Sequence, residues 1–252
     1  MFWSKKKKLP ITQQDKEWTE EALLFIKDSF GEDCFNSINT ILPTKEYYNI
    51  NFKGNEEDAV FILEQTKIYM DFEDFEVSLD FFSDNPVHLD DGTLLSSPAD
   101  INGKWKSNPS MFEETSDGKA KIYVERDELK NVTSLIATIS YELSNFIPLG
   151  EGRIEDHDEY LNDLIAITYG FGIFLGNSCF NHTIISSGLD TGWKMSRTGY
   201  LPEQIIAYAM AWLSVYRNED TQWKKFLNPT MLKHFETSIE YIENNKQEIR
   251  FQ

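Results

Sequence analysis

The segment from Ser134 to Ser178, SLIATISYELSNFIPLGEGRIEDHDEYLNDLIAITYGFGIFLGNS, constrains the fold more than any other part of this chain. It holds two apolar helical patterns joined by an acidic connection containing glycine. In the first, Leu135, Ile136, Ile139, Leu143, Phe146 and Ile147 recur at helical spacing, and Pro148 with Gly150 supplies the stop. The second is expected to begin near Asp156 to Glu159, with acidic residues in the first turn where the helix dipole favours them, and to run to about Asn177. Its interior glycines, Gly170, Gly172 and Gly176, each cost about 1 kcal/mol relative to alanine in a helix. Close helix contact is the expected reason for them.

The rest of the chain divides around that pair. Residues 1–66 read as an N-terminal helical region: Trp18, Ala22, Phe25 and Ile26 are spaced as one helix face over Thr12 to Phe30, with Gly31 as the stop. Ile41 to Asn55 reads as a loop with room for a strand, and the apolar run Ala59 to Leu63 fits either a short helix over Glu56 to Gln65 or a buried strand. Residues 67–126 read as a small sheet. Ile68, Met70 and Phe72 alternate with polar neighbours; Phe75, Val77, Leu79 and Phe81 do the same before Asn85-Pro86. Asp90 to Asn108 reads as a long loop entering short strands. Ser116 to Lys119 reads as the turn of a hairpin between Phe112 to Thr115 and Lys121 to Glu125. Residues 127–252 read as helical, interrupted by a polar loop at Gly188 to Gly199, with further helices over Glu203 to Arg217, Thr221 to Leu227 and Pro229 to Asn245. The expected architecture is one α+β domain, with a mixed or antiparallel sheet of about three to five strands packed on helices.

Composition narrows the function. With 24 basic against 42 acidic residues the formal charge is -18, a field that repels nucleic acid and anionic membranes and attracts a basic protein. Lys5 to Lys8 are not followed by the apolar run of a secretory signal, and the segment Leu161 to Leu175 is too interrupted to span a membrane. Cys34 and Cys179 imply no disulfide framework, so a reducing cytoplasm is the expected compartment. The oligomeric state is not readable from the sequence. Nucleophile elbows, phosphate loops and paired C-x-x-C motifs are absent, and Gly170-Phe171-Gly172 has no strand before it to make a dinucleotide site.

One motif carries chemistry. Tyr141-Glu142-Leu143-Ser144-Asn145 has the frame of the zinc-binding H-E-x-x-H helix, in which two histidines one turn apart hold the metal and the glutamate activates its water. Fourteen residues on, Glu159 and Asp163 have the E-x-x-x-D spacing that places both carboxylates on one helix face. Together with Ala137-Thr138, Leu149 to Ile154, Asp163-Leu164, Gly170 to Phe174 and Asn177, these residues resemble a bacterial zincin-like family related to metallopeptidases, with the pattern H-E-x-x-H followed by E-x-x-x-D. Thr191 to Trp193 and Gly199 to Leu201 fit its C-terminal pattern, and the resemblance spans roughly residues 121–223.

The resemblance implies a zincin-like fold, Glu142 as the former general base, and Glu159, Asp163 and Asn145 as vestigial metal positions. Tyr141 and Asn145 stand where the family has histidine, and phenol and amide oxygens are poor zinc ligands. A degenerate site is therefore expected, with no cofactor and with Arg153 as the charge partner of the three leftover carboxylates. The resulting expectation is a pseudo-metallopeptidase: a cytoplasmic binding or regulatory module, including an immunity-type protein for a basic partner. The alternative is a metal-dependent hydrolase, with zinc or another ion on Asn145, Glu159, Asp163 and His157; His182 lies too far from any partner histidine to share a motif with it.

Overall fold

The computed structural model describes residues 8–82, 120–147, 159–179 and 199–252 in full, and the backbone of the strands at 87–88, 94–95, 110–114, 181–187 and 190–196. Three helices come first: α1 (Gln13–Phe30), α2 (Glu32–Ser37) and α3 (Glu56–Tyr69). Thr12 caps α1 by accepting from the Asp15 amide, and Gly31, at φ 82°, ends it. The buried face of α1 is Lys16, Thr19, Glu20, Leu23 and Ile26, so the expected stripe is rotated and Phe25 faces solvent. A reciprocal capping box between Asn55 and Asp58 starts α3, which settles its apolar run as helix. Residues 41–55, before it, form no strand.

That helix continues to Tyr69, with Met70 as its cap, which corrects the strand expected over 68–72. The alternation there is short enough to fit either period. Three backbone acceptors at the helix end, Thr66 O, Lys67 O and Ile68 O, take the Met70 amide.

The main sheet contains β1 (Val77–Phe82), β4 (Ser110–Glu114) and β5 (Ala120–Glu125), in the order β1-β5-β4. β1 runs parallel to β5 and β4 antiparallel to it, so the sheet is mixed; the purely antiparallel option is excluded. The register places Val77, Leu79 and Phe81 beside Ala120, Ile122 and Val124. Neighbours in register share a face, so the apolar alternation of one strand extends that of the other. Helix α3 meets β1 and α4 (Val132–Ser144) meets β4 and β5. Between β1 and β4, β2 (Val87–His88) and β3 (Leu94–Leu95) form a separate antiparallel pair. The turn expected at Ser116 to Lys119 and the stop at Asn85-Pro86 lie outside the described residues.

Helix α4 is the centre of the structure. Every residue from Ser134 to Ser144 is buried, as in a helix enclosed on all sides. Its entry is a 3-10 turn, Arg126–Lys130, after which the Asn131 side chain accepts from the Thr133 and Ser134 amides at 3.0 and 3.3 Å. Buried Glu128 accepts from the hydroxyls of Ser134 and Thr138.

The second helix of the pair is not continuous. α5 (Glu159–Ala166) passes through a π-turn at Ile167–Phe171 into α6 (Gly172–Ser178), and Gly170 sits at φ 93° inside the break. The Gly170 carbonyl accepts from the Ile41 amide at 2.9 Å, so the loop before residue 42 packs into the break. β6 (Asn181–Ser187) and β7 (Asp190–Ser196) then pair as a hairpin, which corrects the loop expected from Gly188 and the all-helical reading of 127–252. The three helices expected after Pro202 are present: α7 (Glu203–Tyr216), a 3-10 turn at Thr221–Phe226 and α8 (Pro229–Asn244). Buried side chains from α1 through α8 belong to one hydrophobic cluster. No described helix is long and apolar enough to cross a membrane.

Candidate functional site

Helices α4 and α5 pack together and bring most of the motif residues to one place. Tyr141 and Glu142 occupy the last turn of α4 and are buried, at 6% and 4% exposure, and Asn145 is the half-buried cap of that helix. Glu159 opens α5 and is exposed, whereas Asp163, one turn later, is completely buried. The two carboxylates share a helix face in register, yet one meets solvent and the other the core. Arg153 and His157 lie outside the described residues, and of His182 only the backbone, in β6, is described.

Asp163 is committed to the backbone. Its Oδ2 accepts from the amides of Tyr200 and Leu201 at 2.6 and 2.7 Å. Charge-assisted bonds of this length fix the chain entering α7 against α5. Gly199, at φ 77°, brings the backbone so close that an added Cβ would stand 2.2 Å from Asp163 Oδ1. This use of Asp163 was not legible in the motif, although Gly199-Tyr200-Leu201 was.

Asn145 and Glu142 form a second closed set. The Asn162 side-chain amide donates to Asn145 Oδ1 at 2.6 Å, and Asn145 Nδ2 donates to Glu142 Oε2 at 3.2 Å and to the Glu142 carbonyl at 3.1 Å. The Ser144 hydroxyl sits between the Tyr141 carbonyl of its own helix, at 2.5 Å, and the Asn162 carbonyl of α5, at 3.0 Å, with one hydrogen to share between them. Asn162 was missed by motif reasoning; its place one residue before Asp163 on a helix otherwise apolar inside was the available signal.

Tyr141 lies at the meeting point. Its phenol is pushed well above the ordinary value near 10, first by burial and then by the negative charge of Asp163, the Tyr200 phenol, Glu142 and Glu159. Its ring centroid lies 6.0 Å from that of Tyr200, which meets Tyr160 at 6.3 Å, and Tyr160 meets Trp18 of α1 at 6.2 Å. A row of aromatic contacts thus runs from Tyr141 to the half-exposed Tyr160 and on to Trp18.

These groups do not fit a zinc ion. Tyr141 offers a phenol kept protonated, and Asn145 an amide whose oxygen and nitrogen are both engaged. Among the described residues no three His, Cys, Asp or Glu side chains converge as metal ligands.

Two measurements check this arrangement. Asp163→Ala leaves two buried amides without their acceptor and is expected to lower stability by about 2–4 kcal/mol, with Asp163→Asn costing less than half of that because it keeps an acceptor. Urea unfolding curves give both values; equal losses would mean that the charge, not the amide bonds, is what the site uses. The second concerns pH. Burial also raises the phenols of Tyr48 and Tyr208, and raises Tyr169 to about 12. Raised folded values favour the neutral phenol in the fold, so this stability is complete below the unfolded value of about 10 and is lost as pH climbs past it. In an absorbance titration these phenolates should appear only together with alkaline unfolding; their ionisation in the folded chain near the ordinary value would contradict the burial.

Both cysteines are free thiols, Cys34 exposed and Cys179 buried. No protein-family model, curated protein or solved structure matches this chain, so the functional reading rests on the residues themselves.

Proposed function

We propose that this chain is a zincin-like pseudo-metallopeptidase that acts as a binding or regulatory module for a basic protein partner, an immunity-type protein being one form of that role. The observation that supports it most is the internal use of the motif's polar groups: Asp163 on the Tyr200 and Leu201 amides, and Asn162, Asn145 and Glu142 on one another. A hydrolytic site needs a base and ligands free to meet water and metal. Here the groups at the corresponding positions stabilise the junction of two helices and the start of a third. The second support is the charge of -18, which would steer a basic protein to the surface.

Metal analysis of protein purified without chelator, followed by zinc titration, tests the first half. The expected result is no stoichiometric zinc and no peptidase activity. One tightly held zinc, with hydrolysis abolished by Glu142→Gln, would replace the proposal with the hydrolase reading. Affinity capture from the source cell at low and high salt tests the second half. The expected partner is basic and is released as ionic strength rises; a complex indifferent to salt would remove the charge argument.

A further inference from the structure

On the far side of the helix break from the motif, a cavity of about 10 Å³ is lined by Thr40, Gly170, Ser214, Arg217, Glu219 and Trp223, with apolar neighbours. Two of these side chains carry buried N–H groups without a protein acceptor, Arg217 Nε and Trp223 Nε1. Both can only donate. The Arg217 guanidinium is anchored at one end: its Nη2 donates to the Thr168 carbonyl at 2.9 Å, and its Cζ lies 4.8 Å from the Phe35 ring centroid. Trp223 is held by its ring contact with Phe235 at 4.9 Å and is 6% exposed. Both donors belong to residues that line the same small space, where one acceptor could answer them together.

We propose that this cavity is a binding site for a single internal water, which accepts from Arg217 Nε and Trp223 Nε1. The space is at the lower limit for one water and too small for a larger ligand. Chemistry separates water from an anion. The Glu219 carboxylate lines the same cavity, with its Oε1 accepting from the Thr40 amide at 3.3 Å. The carboxylate offsets the Arg217 guanidinium, leaving no net positive charge to hold a halide, whereas a water can turn its two hydrogens toward Glu219 and the Ser214 hydroxyl. The hydroxyl already donates to the Met210 carbonyl at 2.8 Å and so retains only its acceptor role. The bound water would complete a joint among four segments: the loop at Thr40, the π-turn at Gly170, the end of α7 and the 3-10 turn carrying Trp223. It would therefore be an integral part of the helix break, retained long enough to be seen as one.

Water-to-protein cross-relaxation in NMR tests this on the whole chain. Of the six tryptophan indole N–H signals, the one lost in Trp223→Phe should show a cross-peak to water with the sign of a residence longer than molecular tumbling. Absence of that cross-peak overturns the proposal. A crystal structure of the unaltered chain gives the second readout should the variant fail to fold. A density peak within about 3 Å of both nitrogens is expected. Protein acceptors on both N–H groups, or an anomalous bromide signal in the cavity after a bromide soak, would overturn it in favour of a dry joint or an anion site.

Discussion

Gly170→Ala is expected to be among the most destabilising single substitutions in this chain, lowering stability by about 3 kcal/mol, or roughly 6–12 °C in Tm. Two effects add. The residue stands at φ 93°, where an L side chain is strained, and an added Cβ would lie 2.3 Å from the Asn39 carbonyl oxygen. That oxygen belongs to backbone, so relief requires moving the loop whose Ile41 amide is bonded to Gly170 O. Gly172→Ala is the control. Its Cβ would approach only Met210 side-chain atoms, the nearest at 2.8 Å, and it sits at an ordinary helical φ of -56°. Met210 can give way, and alanine gains up to about 1 kcal/mol in helix propensity, so a change of less than about 1 kcal/mol is expected. Thermal unfolding of the two variants checks the contrast. Equal losses would mean that helix crowding, and not the break in the backbone, is why glycine is needed.

Glu20→Ala is expected to cost about 3–5 kcal/mol. Glu20 is completely buried on α1 and gathers three partners: Lys16 Nζ at 2.9 Å, the Tyr208 hydroxyl at 2.6 Å and the Arg250 amide at 3.1 Å. Lys16, 4% exposed, also donates to the Glu248 carbonyl at 2.7 Å. The cluster therefore ties the first long helix to α7 and to the last described residues. Removing the carboxylate strands a buried ammonium beside an unanswered hydroxyl and amide, and the cost of those groups, rather than the worth of the ion pair, dominates the loss. The Lys16→Met/Glu20→Leu double variant should consequently recover part of it, because no unpaired charge remains. Chemical denaturation of both proteins decides the matter; a double variant less stable than Glu20→Ala would show that the ion pair itself is strongly favourable.

The two cases show what kind of information a linear pattern carries. The central helix was legible because its apolar positions recur at helical spacing, and α7 and α8 were legible for the same reason. β1 and β5 were legible as alternation, since burial of Ala120, Ile122 and Val124 leaves a period of two in the sequence. The strand expected over 68–72 failed because so short an alternation also fits the end of a helix that starts with a strong capping box. The buried face of α1 was misplaced because it includes Lys16, Thr19 and Glu20, which hydrophobicity sorts to the surface and which only a partner from the opposite end of the chain makes buriable.

The motif has the same division. Spacing alone put Tyr141, Glu142 and Asn145 around one helix end and Glu159 and Asp163 one turn apart on the next helix, because α-helical periodicity is a local property; the packing of α4 on α5 brought the two sets together. What each group does there was decided by long-range contacts. Asp163 answers amides 37 and 38 residues away, and Asn145 is engaged by Asn162 across the helix pair. The sequence by itself determined the two helices, their apolar residues and the presence of Tyr141 and Asn145 on either side of Glu142. Only the tertiary structure decided that the second helix breaks at Gly170, that Glu159 meets solvent while Asp163 is buried on two backbone amides, and that Asn162, Asn145 and Glu142 bond to one another. The reason is physical: secondary structure follows from neighbours along the chain, while the partner of a buried polar group is whatever donor or acceptor packing brings within about 3 Å.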